Sequence, residues 1–366
     1  MTQPYAYRSS LLRVVSRAVT LLALVAVTGL LIWPQRRRIR RPGRLAAWST
    51  AYVGGLLGVL LFVEPLFEDD GWVMATIENY SSTGQFGNYY NSWNSTYASA
   101  TAFMHMLQWV LGWSSSLVAL RGLALVVSVV SWWLMLRIFH RLSHGDLLRF
   151  RRHVLYALPA YSLCAISWLI TLRPEPYIAM ASAVVLLCAI AVVQDEDMRY
   201  LALAGVACGF AIASHPGGIV AVAPMLVIAP ELLTRVRTRV IRLRDLAWSL
   251  MFPAAASLWM LFADLDVGGW RLQARLNENP GISNFTWRDD LLHYLSLFDA
   301  GNAPRRLSWL VVVVAVIAYL TRRDRDIPLE SALPVRSFVV ASILIAALPS
   351  KWLWHFGALT AIGVVV

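Results

Sequence analysis

The sequence predicts an all-α integral membrane protein, a bundle of about ten helical spans with an incomplete eleventh. Three observations carry that prediction. Apolar residues make up 58% of the 366-residue chain and charged residues only 14%; with a mean hydropathy of +0.59, this is too apolar for a soluble globule. The apolar residues fall in runs of about twenty, the length that crosses a bilayer. The arginines gather between the runs, in clusters at Arg36, Arg37, Arg38, Arg40, Arg41 and Arg44; at Arg137, Arg141, Arg149, Arg151 and Arg152; at Arg235, Arg237, Arg239, Arg242 and Arg244; and at Arg322, Arg323 and Arg325. That placement is the cytoplasmic bias of short membrane loops, and it argues against nucleic acid as the partner of the +11 net charge. Cys164, Cys188 and Cys208 lie inside apolar runs without metal-like spacing, as small core residues do.

Taken in order, the candidate spans are 17–34, 46–66, 117–138, 154–171, 177–194, 200–214, 217–233, 247–263, 307–321 and 335–349, with an eleventh begun at 356–366. The first is not a cleavable signal, because Trp33-Pro34 leads straight into the arginine block. With every arginine cluster inside, the loops near 35–45, 139–153, 194–199, 234–246 and 322–334 are cytoplasmic. The loops at 67–116, 173–176, 214–218, 264–306 and 351–355 then face out, and the N-terminus is outside. The stretch Ala102 to Trp113 reads as an interfacial or partly re-entrant helix within the first long outward loop.

The outward loops collect the unusual polar motifs. Glu68-Asp69-Asp70-Gly71-Trp72 follows directly on a span, where carboxylates are costly unless they cap a helix or do chemistry. The loop after it is rich in Asn, Tyr and Trp, a composition suited both to sugars and to any membrane interface. Arg173-Pro174-Glu175-Pro176 is a stiff connector: its guanidinium suits a phosphate, and the same four residues suit a tight turn with an internal ion pair. His215-Pro216-Gly217-Gly218 is either an anion-binding turn or a plain one. Lys351-Trp352-Leu353-Trp354-His355 holds the chain's only lysine, placed against the charge bias. No Walker loop, dinucleotide fingerprint, zinc spacing or nucleophile elbow occurs.

These motifs carry a resemblance. Glu68-Asp69-Asp70-Gly71-Trp72, Gly87-Asn88-Tyr89-Tyr90, Leu172-Arg173-Pro174-Glu175-Pro176, Pro216-Gly217-Gly218-Ile219 and Pro349-Ser350-Lys351-Trp352-Leu353-Trp354-His355-Phe356-Gly357 are similar, in the same order, to motifs of the Emb arabinosyltransferases of mycobacteria. Those are membrane enzymes of the GT-C class, and the likeness covers most of residues 17–366. The resemblance implies a GT-C-like bundle in the plasma membrane, active on its extracytoplasmic face. It implies transfer of arabinofuranose from decaprenyl-phosphate-arabinose to an arabinan or arabinogalactan acceptor, with membrane lipid around the chain and a related subunit as a homo- or heterodimer partner.

On that reading Asp69 is the general base and the configuration inverts. A single base suffices because phosphate is a good leaving group, in contrast to the paired carboxylates of glycosidases. Asp70 is a supporting residue or the ligand of a divalent cation. Arg173, Lys351 and His355 are candidates for the donor phosphate. Trp72, Asn88, Tyr89, Tyr90, Glu175, His215, Trp352 and Trp354 are candidates for substrate contact. The chain departs from the family in lacking its extracytoplasmic sugar-binding domains, in carrying Tyr97 where the family has an acidic residue, and in ending inside a span; a truncated form or fragment is the expectation. An inactive scaffolding relative and a lipid-linked sugar transporter are the alternatives. A transporter calls for internal repeats and mid-span charges.

Overall fold

The computed structural model describes residues 43–63, 70–83, 86, 101–262, 264, 295, 303–321, 327–348 and 353–366, and every regular element within them is helical. Helix α1 is Arg44–Val63, α2 Asp70–Thr83, α3 Ala102–Leu111, α4 Leu117–Leu142 and α5 Leu147–Cys164, which runs on as a π-turn, Ala165–Leu169. Then come α6 Glu175–Asp195, α7 Arg199–Ser214, a 3-10 segment Pro216–Val222, α8 Ala223–Arg237 and α9 Leu243–Leu261. Last are α10 Ala303–Leu320, α11 Leu329–Ala346, a second 3-10 segment Leu353–Leu359 and α12 Thr360–Val365. The candidate span 17–34 and most of the loops 67–116 and 264–306 lie outside the described residues.

Five of the described helical segments are long and apolar enough to cross a membrane: α1, α4, α6, α11, and the first 3-10 segment together with α8. The bundle is built around α6. Of its most apolar 18-residue window 78% is buried, against 22% for α1. Ala179, Ala181, Ser182, Ala183, Ala189 and Ala191 are all buried on α6. Small side chains let neighbouring backbones come close, which is how helices gain packing energy where lipid removes the hydrophobic drive. Helices α7 and α9 use the same device. A Cβ on Gly205 would stand 2.6 Å from the Pro253 Cβ, and one on Gly209 would overlap Ser257. Between α4 and α5, the Tyr161 hydroxyl donates to the Ser128 carbonyl at 2.6 Å, with its ring against Trp132.

Large apolar side chains remain exposed around the perimeter, Phe62, Met251, Val314 and Ile343 among them, as a lipid-facing surface requires. One end of the bundle gathers the C-termini of α4, α6 and α8. There Arg141 pairs with Asp195 at 2.8 Å, and Arg235 meets Glu231 at 2.7 Å and Glu196 at 3.4 Å. Helix α5 begins at this end, seven residues before the apolar run 154–171. Arginines continue a helix into water as readily as leucines, and Asp146 caps it by accepting from the backbone N–H groups of Leu148 and Arg149. Those two bonds hold the Asp146 carboxyl below the usual carboxylate range, the Arg149 bond more than the Leu148 bond.

Candidate active site at the opposite end of the bundle

The opposite end brings together the N-termini of α2, α4 and α6 with the C-terminus of α7. Asp70 opens α2 and is fully buried. A buried carboxylate is tolerated only when its lone pairs are met, and those of Asp70 are. Oδ2 accepts from Arg121 Nε at 3.1 Å and Nη2 at 2.6 Å. Oδ1 accepts from the Thr171 hydroxyl and the Leu172 backbone N–H, both at 2.8 Å. Arg121 lies on the second turn of α4 and is itself buried. A donor set of this kind does not fit a divalent cation at Asp70, because a metal would have to displace the guanidinium and two further donors. Among the described residues no group of three or more His, Cys, Asp or Glu side chains is arranged to hold an ion.

Thr171 passes the network on. Its Oγ1 also accepts the backbone N–H of Arg173, at 3.3 Å. The Arg173 guanidinium forks onto Glu175, Nε to Oε2 at 3.1 Å and Nη2 to Oε1 at 3.0 Å, and both side chains are buried. Of the two readings left by the sequence, phosphate clamp and internal ion pair, the ion pair is present. It does not exclude the clamp, because a guanidinium carries five N–H donors.

The second 3-10 segment lies directly on this pair. A Cβ on Gly357 would come within 3.0 Å of the Cβ atoms of both Glu175 and Trp168, so only glycine lets His355 approach without the neighbours giving way. The His355 ring lies 5.0 Å from that of His215. His215 has an extended backbone and caps the first 3-10 segment, its Nδ1 accepting the Gly217 N–H at 2.9 Å. That bond places the proton of the neutral ring on Nε2. Burial first, then the His355 ring and the Arg173 guanidinium, hold the His215 imidazole well below the ordinary histidine range. It is therefore a neutral hydrogen-bonding group near pH 7.

Of the residues singled out from the sequence, Asp70, Arg173, Glu175, His215 and His355 meet at this end. Trp72 sits on the first turn of α2 and is 39% exposed. Asp69, Asn88, Tyr89, Tyr90, Lys351 and Trp352 lie outside the described residues, as does the side chain of Trp354. Sequence reading missed Arg121 and Thr171. A lone arginine inside an apolar run, far from every arginine cluster, was the available signal for the first; Thr171 offered none.

A second polar group lies nearby. His105 Nε2 is 2.7 Å from Asp264 Oδ2, which also accepts the Thr101 hydroxyl, and the His105 ring meets Tyr80 and Phe86 edge-on. This fastens α3 to the chain just beyond α9.

A polytopic helical bundle with buried ion pairs and two histidines at one end is a membrane protein equipped for polar chemistry at that end. Comparison with known proteins gives its family. The model of the mycobacterial cell wall arabinan synthesis proteins matches residues 6–366, and the chain belongs to that family. It is 27% identical over 366 residues to a probable arabinosyltransferase C of Mycolicibacterium smegmatis, covering 94% of this chain and 33% of that protein. It is 28% identical over 348 residues to a probable arabinosyltransferase A of Mycobacterium tuberculosis, covering 89% of this chain and 31% of that protein. The cryo-EM structure of the arabinosyltransferase EmbB from Mycobacterium smegmatis shares the fold, with a TM-score of 0.71 at 20% identity over 96% of this chain and 33% of that one. The chain thus spans about a third of the length of these relatives.

Proposed function

We propose that the chain transfers arabinofuranose from decaprenyl-phosphate-arabinose to an arabinan acceptor at the extracytoplasmic face of the plasma membrane. Asp69 takes the proton of the acceptor hydroxyl as that oxygen bonds to the anomeric carbon from the side opposite the phosphate. The bond from that carbon to the phosphate oxygen breaks, its electron pair leaves with the decaprenyl phosphate, and the configuration inverts. Arg173, Lys351 and His355 stabilise the leaving phosphate, and His215 adds a neutral N–H donor beside them. Trp72, Asn88, Tyr89, Tyr90, Glu175, Trp352 and Trp354 contact the sugars.

The observation that carries this reading is the continuous network from Asp70, the neighbour of Asp69 in the chain, through Thr171 to Arg173 and Glu175. With the His215–His355 contact beside it, it sets the residue next to the base close to cationic and N–H groups suited to a leaving phosphate. Family membership supports the substrate class.

The test uses membranes containing the chain or its Asp69→Asn variant, supplied with decaprenyl-phosphoarabinose and a short arabinan. Transfer is expected to fall about 10²–10⁴-fold in the variant, the range for loss of a general base. Equal transfer by both would end the assignment of Asp69, and transfer by neither would favour a scaffolding role.

A further inference from the structure

We infer that Arg121 is a positioning residue for this end of the bundle, acting through Asp70 to hold the start of α2 and the turn before α6 as one rigid unit. The inference rests on the transfer reading only for its catalytic consequence; the mechanical part stands on geometry alone. Three segments far apart in the chain meet at one buried carboxylate. Asp70 belongs to α2, Arg121 to α4, and Thr171 and Leu172 to the turn that leads into Arg173. The two oxygens divide the work. Oδ2 takes the two guanidinium N–H groups and Oδ1 takes the turn, so Asp70 bridges α4 to the turn while itself fixing the first residue of α2.

Stability alone is a poor reason for such a bridge. A buried ion pair adds little over an apolar pair of the same size, while removing one partner leaves a buried charge unmet. What the pair supplies is direction. Bonds onto both oxygens fix the carboxylate plane, and with it the first residue of α2, which follows Asp69 in the chain. On the other side, Thr171 Oγ1 holds the Arg173 N–H, so the same bridge sets where the Arg173 guanidinium starts. Arg121 touches neither sugar nor phosphate in this account. Its effect is on the mutual placement of a base and a cation, where a misplacement of about 1 Å is worth roughly a hundredfold in rate.

The experiment compares the chain with Arg121→Lys, Arg121→Met and the doubly substituted Asp70→Leu/Arg121→Met, in detergent and in membranes. Backbone hydrogen exchange is read over residues 70–76 and 170–174, with 199–237 as an internal reference. Arg121→Met is expected to speed exchange by about tenfold or more in both windows together, leaving the reference unchanged. Arg121→Lys, which keeps the charge but not the fork, is expected to fall between it and the parent chain.

The double variant has no unmet charge but leaves the Thr171 hydroxyl and the Leu172 N–H without Oδ1; it is expected to melt above Arg121→Met, yet to exchange fast at 170–174. In transfer assays, kcat per folded molecule is expected to drop about a hundredfold in Arg121→Met with the donor KM within about threefold. Slow exchange at 170–174 in the double variant, or transfer that declines only in proportion to folded protein, would overturn the inference. If the parent chain transfers nothing, the transfer reading fails while the exchange data still decide whether Arg121 is the bridge.

Discussion

The two ends of the bundle handle charge in opposite ways. At one, the side chains of Arg121 and Asp70 are 4% and 0% exposed and those of Arg173 and Glu175 are 6% and 3%. At the other, Arg141 and Asp195 are 22% and 38% exposed, and Arg199 and Asp197 are 52% and 25%. Exposed pairs are screened and contribute about 0–1 kcal/mol, too little to hold the fold. Buried pairs carry a desolvation cost that attraction roughly offsets. Two of them at one end, linked through Thr171, are therefore better explained by placement of chemical groups than by stability.

The comparison can be broken most forcefully at Glu175. Glu175→Ala leaves the buried Arg173 guanidinium without its fork, and a loss of about 3–5 kcal/mol is expected as a large drop in melting temperature in detergent. An unchanged melting temperature would mean that the pair is solvated in the working protein. A smaller effect is expected from Gly357→Val, whose side chain would press on the Cβ atoms of Glu175 and Trp168. Overpacking of this kind costs about 1–3 kcal/mol and would push His355 from His215, so melting temperature and transfer should fall together.

His215 sharpens the comparison through pH. Its folded-state pKa lies below the unfolded value, so the unfolded chain binds the proton first. Stability from this group is complete above about pH 6.5, the ordinary histidine value, and is lost as the pH drops below it toward the folded value. Melting curves from pH 8 to pH 5 are expected to fall less steeply for His215→Gln than for the parent chain; parallel curves would place the imidazole in contact with water. The smallest effects belong to the other end. Arg141→Gln and Arg199→Gln are expected to change stability by no more than about 1 kcal/mol, and losses as large as that of Glu175→Ala would erase the contrast between the ends.

Much of the architecture was legible because the bilayer imposes it. Over the apolar run 177–194 the helix is Glu175–Asp195, and over 200–214 it is Arg199–Ser214, since proline or polar residues close both runs at their ends. Hydropathy says less where helix and membrane part company. Helix α5 starts well before its apolar run, and the run 217–233 opens with a 3-10 segment because Pro216, Gly217 and Gly218 disfavour an α-turn. Within the site, local motifs pointed to Arg173, Glu175, His215 and His355, since loops between spans are short and confine them to one end. Arg121 is not legible in the charge pattern, where arginines mark loops, and its partner Asp70 is 51 residues away. No periodicity records a bond across that distance; only the fold brings the two together.

That the buried-pair end carries the chemistry and the arginine-rich end the topology is tested most directly by one paired measurement. Transfer from decaprenyl-phosphoarabinose is measured per folded molecule for Asp69→Asn and for Arg141→Gln against the parent chain. The account predicts a fall of about 10²–10⁴-fold for the first and a rate within about twofold of the parent for the second. Comparable losses in both variants, or full activity in Asp69→Asn, would contradict it.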